Sequence, residues 1–174
     1  NRVAKWNGSV WAPLGTATRN GVAGNGFVHV NAIAALSSTE VYVGGGFSAV
    51  ADVTSSSISA RCIAKWNGST NRWNLLGTAT QNGAGSTVQA ISALSKSEIF
   101  VGGFFTTVSD SSGSNFSANR IAKWNAMTNS WSRLGTVSQN GAGNIVFAID
   151  AFSPTEVYVG GSFTTVADSS GASI

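Results

Sequence analysis

The side chains that most often carry out chemistry are scarce in this sequence of 174 residues. It contains one histidine, His29, and one cysteine, Cys62. A histidine can act as a general base, but neither a nucleophile nor an orienting acid is recognisable for His29. One His and one Cys cannot fill a tetrahedral metal shell. We therefore expect no catalytic residue, no metal site and no cofactor, and a protein that is not an enzyme.

The carboxylates are also placed poorly for catalysis or for binding a metal ion. Glycoside hydrolysis needs a pair of acids beside the sugar. However, most acidic residues return in every copy of an internal repeat, where they are expected to serve the shared framework; these are Glu40, Glu98, Glu156, Asp52, Asp110 and Asp168. Asp110 and Asp168 each open an Asp-Ser-Ser-Gly loop. One carboxylate is a poor cage for calcium, so we expect an Asx turn in each loop.

Three Asn-x-Ser sequons, at Asn7, Asn67 and Asn115, are candidate N-glycosylation sites. Asn7 and Asn67 each lie in an Asn-Gly turn after a Lys-Trp strand, and Asn115 lies in a Ser-rich loop. Turns and loops of this kind lie on the surface, as glycosylation requires. We therefore predict that all three asparagines are exposed.

Internal repetition is the dominant feature of the sequence. Three motifs return in each copy: Lys-Trp-Asn at 5–7, 65–67 and 123–125; Leu-Gly-Thr at 14–16, 76–78 and 134–136; and a run from Glu to Gly at 40–44, 98–102 and 156–160. The glutamates of this last motif are spaced 58 residues apart. The chain is therefore predicted to contain three repeats, at residues 1–58, 59–116 and 117–174.

Each repeat contains strand-like segments separated by turn signals. In the second repeat they lie at 63–66, 73–76, 88–94 and 98–103. These segments are rich in β-branched and aromatic residues, and no segment has a helical period. They are nearly apolar on both faces, as expected for sheets sandwiched between neighbouring sheets. We predict an all-β fold, namely a β-propeller with three four-stranded blades of about 58 residues each.

The tryptophans come as repeated pairs: Trp6 with Trp11, Trp66 with Trp73, and Trp124 with Trp131. Aromatic faces can stack on sugars, which would suit a lectin. A tryptophan that returns in every copy more often packs inside the repeat. We therefore favour packing over sugar binding for these side chains.

The order of these motifs resembles a known repeat. A strand ending in Val101-Gly102-Gly103, an Ile-Ala-Lys-Trp-Asn strand (63–67) and a strand containing Trp73 resemble the kelch blade. The sequence of the whole repeat is even more similar to secreted kelch-like repeats of about 60 residues, which occur in large cell-surface and cell-wall proteins. This resemblance covers the whole chain and implies the fold. It does not imply a function, because kelch-like propellers include enzymes, lectins and scaffolds.

Composition narrows the class of protein further. Charged residues make up 10% of the chain, against about 25% in ordinary soluble domains. Such a low charged fraction is common in extracellular β-proteins. The net charge of +3 comes from residues spread along the chain, so we expect no nucleic-acid partner. There is no apolar run long enough to cross a membrane as a helix, so we expect no membrane insertion.

These observations lead to one leading hypothesis and one alternative. The leading hypothesis is a non-enzymatic extracellular structural or interaction repeat, part of a cell-surface, wall or appendage assembly. The alternative is a carbohydrate-binding, lectin-like propeller. Three blades cannot close a ring by themselves. The expected partners are therefore further copies of the chain or further repeats of a longer one, with glycans as the second candidate.

Overall fold

The computed structural model describes residues 2–55, 57–112 and 115–174 and is built from β-strands, with no helix in these ranges. Up to residue 59 the strands are β1 (Ala4–Trp6), β2 (Trp11–Pro13), β3 (Val22–Ala23), β4 (His29–Ala35), β5 (Glu40–Gly46), β6 (Ala49–Val50) and β7 (Ile58–Ser59). From 63 to 117 they are β8 (Ile63–Asn67), β9 (Arg72–Leu75), β10 (Gly83–Ala84), β11 (Val88–Ser95), β12 (Glu98–Gly103), β13 (Thr107–Ser109) and β14 (Asn115–Ser117). The last four are β15 (Ile121–Asn125), β16 (Ser130–Arg133), β17 (Val146–Ser153) and β18 (Glu156–Gly161).

Two of the sheets have four antiparallel strands each, and in both of them two short strands of another sheet intervene in the chain between the second and the third strand. Their strand orders are β4-β5-β8-β9 and β11-β12-β15-β16. The registers repeat: Val41 pairs with Trp66 in the first sheet, and Ile99 pairs with Trp124 in the second. The predicted strands of the second repeat therefore exist, within one or two residues of their predicted ends.

The sheets do not follow the boundaries of the sequence repeats. The first sheet takes β4 and β5 from residues 1–58 and takes β8 and β9 from residues 59–116. The second sheet likewise combines β11 and β12 with β15 and β16, across the boundary between 116 and 117. Each four-stranded sheet is thus shared by two successive copies of the repeat.

Of the three four-stranded sheets expected, two are complete. Four further strands form two two-stranded sheets, β1-β2 near one end of the chain and β17-β18 near the other. The pair β1-β2 corresponds to the last two strands of a complete sheet, since it carries Trp6 and Trp11 opposite each other as Trp66 and Trp73 are. The pair β17-β18 corresponds to the first two strands, with the same register and the same bulges as β11-β12.

Two small three-stranded sheets, β3-β6-β7 and β10-β13-β14, were not expected from the sequence. Their strands are two or three residues long. They tie the loop that follows each glycine-rich strand to the loop that follows each Trp strand. Segments this short carry too few residues to show a period-two pattern, which is why the sequence reads as turns there.

The long sheets stack in a row, with β11 lying against both β4 and β17. Strand β12 is buried except at its first residue, and the four residues 42–45 of β5 are buried. Their fully buried residues include Tyr42, Val43 and Val101. Burial on both faces is what the nearly apolar strand sequences predicted. The row is open, since the described sheets close into neither a ring nor a barrel.

Candidate functional site

The contact between one long sheet and the next is a closely packed feature that repeats along the chain. Gly102 in β12 faces β17, and a Cβ at Gly102 would lie 2.6 Å from Val146 Cγ1 and 2.8 Å from Ile149 Cδ1. Gly44 in β5 faces Val88 and Ile91 of β11 in the same way. A valine and an isoleucine of each sheet thus pack against a glycine of the preceding sheet, where no larger residue fits.

Polar contacts also join successive sheets. The Asn31 side-chain amide donates to the Val88 carbonyl oxygen at 3.1 Å, and the Ala151 N–H donates to Ser92 Oγ at 3.1 Å. Lys96 lies 3.4 Å from Glu40 of the preceding sheet. Because the Lys96 side chain is exposed, we expect this ion pair to add less than about 1 kcal/mol.

An aspartate and a tryptophan form a second repeated feature, here called the Asp–Trp clasp: Asp52 with Trp73, and Asp110 with Trp131. Asp52 Oδ2 accepts the Trp73 backbone N–H at 2.7 Å, and the Trp73 indole Nε1–H donates to the Ala51 carbonyl oxygen at 3.1 Å. Asp110 and Trp131 repeat these bonds, at 3.2 Å to the carboxylate and 3.1 Å to the Ser109 carbonyl oxygen. The clasp fixes the loop that follows each glycine-rich strand to the last strand of the sheet.

Each of these aspartates also closes its own turn, as an Asx turn does. Asp52 Oδ1 accepts the Thr54 N–H and hydroxyl, and Asp110 Oδ1 accepts the Ser112 N–H. Burial alone would raise the pKa of Asp52 and Asp110, but these hydrogen bonds together with that from the Trp amide hold both below their ordinary value of 3.8. Both oxygens of each carboxylate therefore accept hydrogen bonds that hold the loop in place.

The repeated Lys and Glu residues pair across neighbouring strands. Lys65 Nζ lies 3.1 Å from Glu40, and Lys123 Nζ lies 3.1 Å from Glu98. The interactions with Lys65 and Lys96 outweigh burial and lower the pKa of Glu40. These pairs lie within one sheet, between its second and third strands. Their repetition reflects the framework of the sheet.

A buried asparagine with a structural role was not singled out from the sequence. Asn82 Oδ1 accepts the Arg61 N–H at 3.0 Å, and its amide donates to the carbonyl oxygens of Ser59 and Thr78. Asn140 Oδ1 accepts the Asn119 N–H at 2.8 Å in the next copy. Asn20, Asn82 and Asn140 each precede a glycine in every repeat, and that recurrence was the signal available.

The residues with reactive side chains are not brought together. His29 begins β4, half buried, with Nδ1 3.2 Å from the Phe27 carbonyl oxygen. Cys62 packs against the core beside β8, and burial raises the pKa of its thiol. Among residues 2–55, 57–112 and 115–174, no three His, Cys, Asp or Glu side chains are close enough to hold a metal ion.

The three sequon asparagines lie on separate hairpins and loops. Asn7 is exposed, and its Oδ1 accepts the N–H groups of Ser9 and Val10. Asn67 occupies the equivalent turn, between β8 and β9. It is half buried, so the prediction that it is exposed was wrong for this residue. Asn115 is exposed, as predicted, but it lies in β14 and not in a loop, because it pairs with Ser109 of β13; its Oδ1 accepts the Ser109 hydroxyl. In all three residues the side-chain oxygen is engaged in a local hydrogen bond.

The tryptophans of the complete sheets are buried. Trp66 and Trp73 are each 5% exposed, and Trp124 and Trp131 pack against each other with ring centroids 5.0 Å apart. Their faces are covered by protein and offer no platform for a sugar. Trp6 and Trp11, in the two-stranded sheet β1-β2, are 50% and 68% exposed.

The chain matches no protein-family model, no curated protein and no solved structure. The described part of the chain also has no helix with the length and apolar character needed to span a membrane.

Proposed function

We propose that this chain is a non-enzymatic extracellular structural repeat, which contributes to a cell-surface, wall or appendage assembly. In this proposal each four-stranded sheet is a kelch-like propeller blade, and the stacking of blades is the purpose of the repeated residues. The observation that carries the proposal is the Asp–Trp clasp. In Asp52 and Asp110, both carboxylate oxygens accept hydrogen bonds that hold the backbone.

The other repeated residues support the same function. The glutamates at 40 and 98 pair with lysines of their own sheet. Gly44 and Gly102 are needed for the approach of the next sheet. Repeated residues with framework roles, few charged residues, and sequons at the exposed Asn7 and Asn115 suit a secreted structural module.

The lectin alternative finds less support, because the tryptophans of both complete sheets are buried. A glycan array probed with the purified chain distinguishes the two functions. A structural repeat is expected to bind no glycan reproducibly. Saturable glycan binding would favour the lectin, and its loss when Trp6 and Trp11 are replaced by alanine would place the sugar on these two exposed side chains.

Surface labelling tests the location. Intact source cells treated with a membrane-impermeant biotin reagent are expected to yield the biotinylated protein, since its lysines at 5 and 96 are exposed. An abundant cytosolic protein of the same cells serves as the control and must remain unlabelled. Labelling that occurs only after lysis would overturn the proposed extracellular function.

A further inference from the structure

The two ends of the row of sheets differ in a complementary way. At one end, β17 and β18 lack the two Trp-containing strands that complete the other sheets; at the opposite end, β1 and β2 are two such strands without their glycine-rich partners. We propose that the β17-β18 end docks the β1-β2-β4 end of a second copy of this chain, with β1 of the second copy pairing along β18. This inference rests on the proposed structural function and names its partner.

The register of the docked strands follows from the sheets within the chain. Tyr42 pairs with Lys65, and Phe100 pairs with Lys123. The corresponding residues at the two ends are Tyr158 in β18 and Lys5 in β1. The backbone bond that flanks this pairing, Gly45 N–H to Cys62 O at 2.9 Å, is repeated as Gly103 N–H to Arg120 O at 2.9 Å. In the docked pair it becomes Gly161 N–H donating to Arg2 O of the second copy.

Two polar interactions of the complete sheets are also completed by this pairing. Glu156 corresponds to Glu40 and Glu98, which bind Lys65 and Lys123, and the second copy supplies Lys5 in the position of those lysines. Asp168 makes the same turn as Asp52 and Asp110, with its Oδ1 accepting the Ser170 N–H at 2.8 Å. The second copy brings the Trp11 backbone N–H to Asp168 Oδ2, which forms a third Asp–Trp clasp.

The next sheet of the second copy fits the face of β18. A Cβ at Gly160 would meet no heavy atom closer than 3.9 Å, whereas Gly44 and Gly102 are each covered by a valine and an isoleucine. Val30 and Ile33 of β4 correspond to those residues; Val30 is half buried and Ile33 is 55% exposed, while Val88 and Val146 are fully buried. Docking places Val30 and Ile33 over Gly160.

Apolar surface is exposed where docking would cover it. Tyr158 is 61% exposed, while the corresponding Tyr42 is fully buried. A recess of about 190 Å³ lies beside β18 and is lined by Ile121, Leu134, Val157 and Val159. The sheets within the chain show what covers such a surface, since the contact between β11 and β4 repeats between β17 and β11. A second copy continues an interface that the chain already forms.

This contact joins two different surfaces, so a docked pair keeps one free surface of each kind, one on each copy. Such a heterologous contact closes into a ring where the rotation allows it and otherwise extends into a filament. Each such contact buries one β18 edge and one β1 edge, which would otherwise invite unspecific association.

Disulfide trapping tests the register directly. Two single-cysteine variants are made on the C62A background, one with Y158C and one with K5C, and mixed under mild oxidation. Tyr42 and Lys65 lie directly opposite each other as a pair that exchanges no backbone hydrogen bonds. The side chains of such a pair lie close together. The mixture is expected to give a covalent dimer that neither variant gives alone. The control mixture pairs Y158C with A4C, whose side chain points to the other sheet face, and is expected to cross-link at least about ten times more slowly.

Sedimentation of the chain and of a G160V variant tests the packing face. The variant has room for its side chain in the single chain, so its circular dichroism should not change, while its self-association should weaken at least about tenfold because the docked Val30 and Ile33 need that space. M127V, at an exposed hairpin residue, is the control and should associate normally. Association that is insensitive to G160V, without in-register cross-linking, would overturn the docking geometry and leave the surface location intact. A chain that stays monomeric up to millimolar concentration would also overturn the docking.

Discussion

Gly102 faces Val146 so closely that a Cβ on the glycine would lie 2.6 Å from the valine Cγ1 methyl. The same relationship joins Gly44 to Val88 one sheet earlier, while a Cβ at Gly160, one sheet later, would meet nothing closer than Ala148 Cβ at 3.9 Å. Neither Gly44 nor Gly102 has a positive φ, so space and not backbone conformation demands glycine there. The repeated glycine is therefore a mark of contact between sheets.

We expect G102A to lower the free energy of unfolding by about 1–3 kcal/mol, because the added methyl group overpacks the contact with Val146 and Ile149. The matched control is G160A, which should change the stability of the monomeric chain by less than about 0.5 kcal/mol. Urea unfolding at a concentration where the chain is monomeric measures both. Equal effects of the two substitutions would contradict the assigned role of Gly102.

We expect the double variant D52N/D110N to be less stable near neutral pH, by about 1.5–3 kcal/mol for each clasp. An asparagine keeps one oxygen, but it loses the charge and turns an NH₂ group toward a backbone donor. Because each folded-state pKa lies below the ordinary value of 3.8, the two carboxylates stabilise the fold above that pH. Their contribution is lost as the pH falls through the folded-state pKa.

Denaturant unfolding at a series of pH values checks this prediction. The wild-type chain should lose stability as the pH drops below 3.8, and the double variant should lose less over the same interval. D150N, at an exposed aspartate of β17, is the control and should retain the wild-type dependence on pH. A double variant with the full acid dependence would show that other groups cause it.

Replacing Trp131 by alanine should destabilise the chain by about 3–5 kcal/mol, because the side chain is buried and its indole N–H is bonded. Trp131 is 5% exposed and donates to the Ser109 carbonyl oxygen. W11A removes the corresponding side chain of the two-stranded sheet, which is 68% exposed, and should cost less than about 1 kcal/mol in the monomer. Thermal unfolding followed by circular dichroism compares the two. Similar losses would mean that the β1-β2 sheet is covered in solution.

The prediction on glycosylation has an internal control. Asn125 occupies a hairpin turn equivalent to those of Asn7 and Asn67, and its Oδ1 accepts the Met127 and Thr128 N–H groups. Unlike them, it does not lie in a sequon. Expressed in a glycosylating secretory host, the chain should carry glycans at Asn7, Asn67 and Asn115, and M127S should add one at Asn125. Glycopeptide mass spectrometry measures the occupancy. A glycan at Asn125 of M127S with none at Asn7 would contradict the prediction.

Much of the fold could be predicted from the sequence because strands and turns have local signals. The long strands at 88–95 and 98–103 are rich in β-branched and aromatic residues, and the repeat period aligns them. The sharing of a sheet between two copies could not be predicted in this way. A period gives the spacing of equivalent residues, but it does not say whether β8 pairs with the glycine-rich strand before it or with the one after it.

The Asp–Trp clasp was hidden for a related reason. Asp52 and Trp73 are separated by 21 residues, and each residue alone has a common local explanation, as a turn aspartate and as a core aromatic. The tight packing against Gly102 could not be predicted either, because a glycine pair at the end of a strand also suits a bulge or a turn. Both features depend on contacts between segments, which the repetition marks without explaining.

The measurement that tests the account most directly is cryo-electron microscopy of the native assembly, at a resolution that shows side chains. The account predicts that two Trp-containing strands complete the sheet of β17 and β18, with a Trp backbone N–H bound to Asp168. It also predicts that a valine and an isoleucine of the next sheet pack over Gly160. An assembly in which an unrelated fold covers Gly160, or in which Gly160 faces solvent, would contradict the claim that the repeated residues serve the stacking of like sheets.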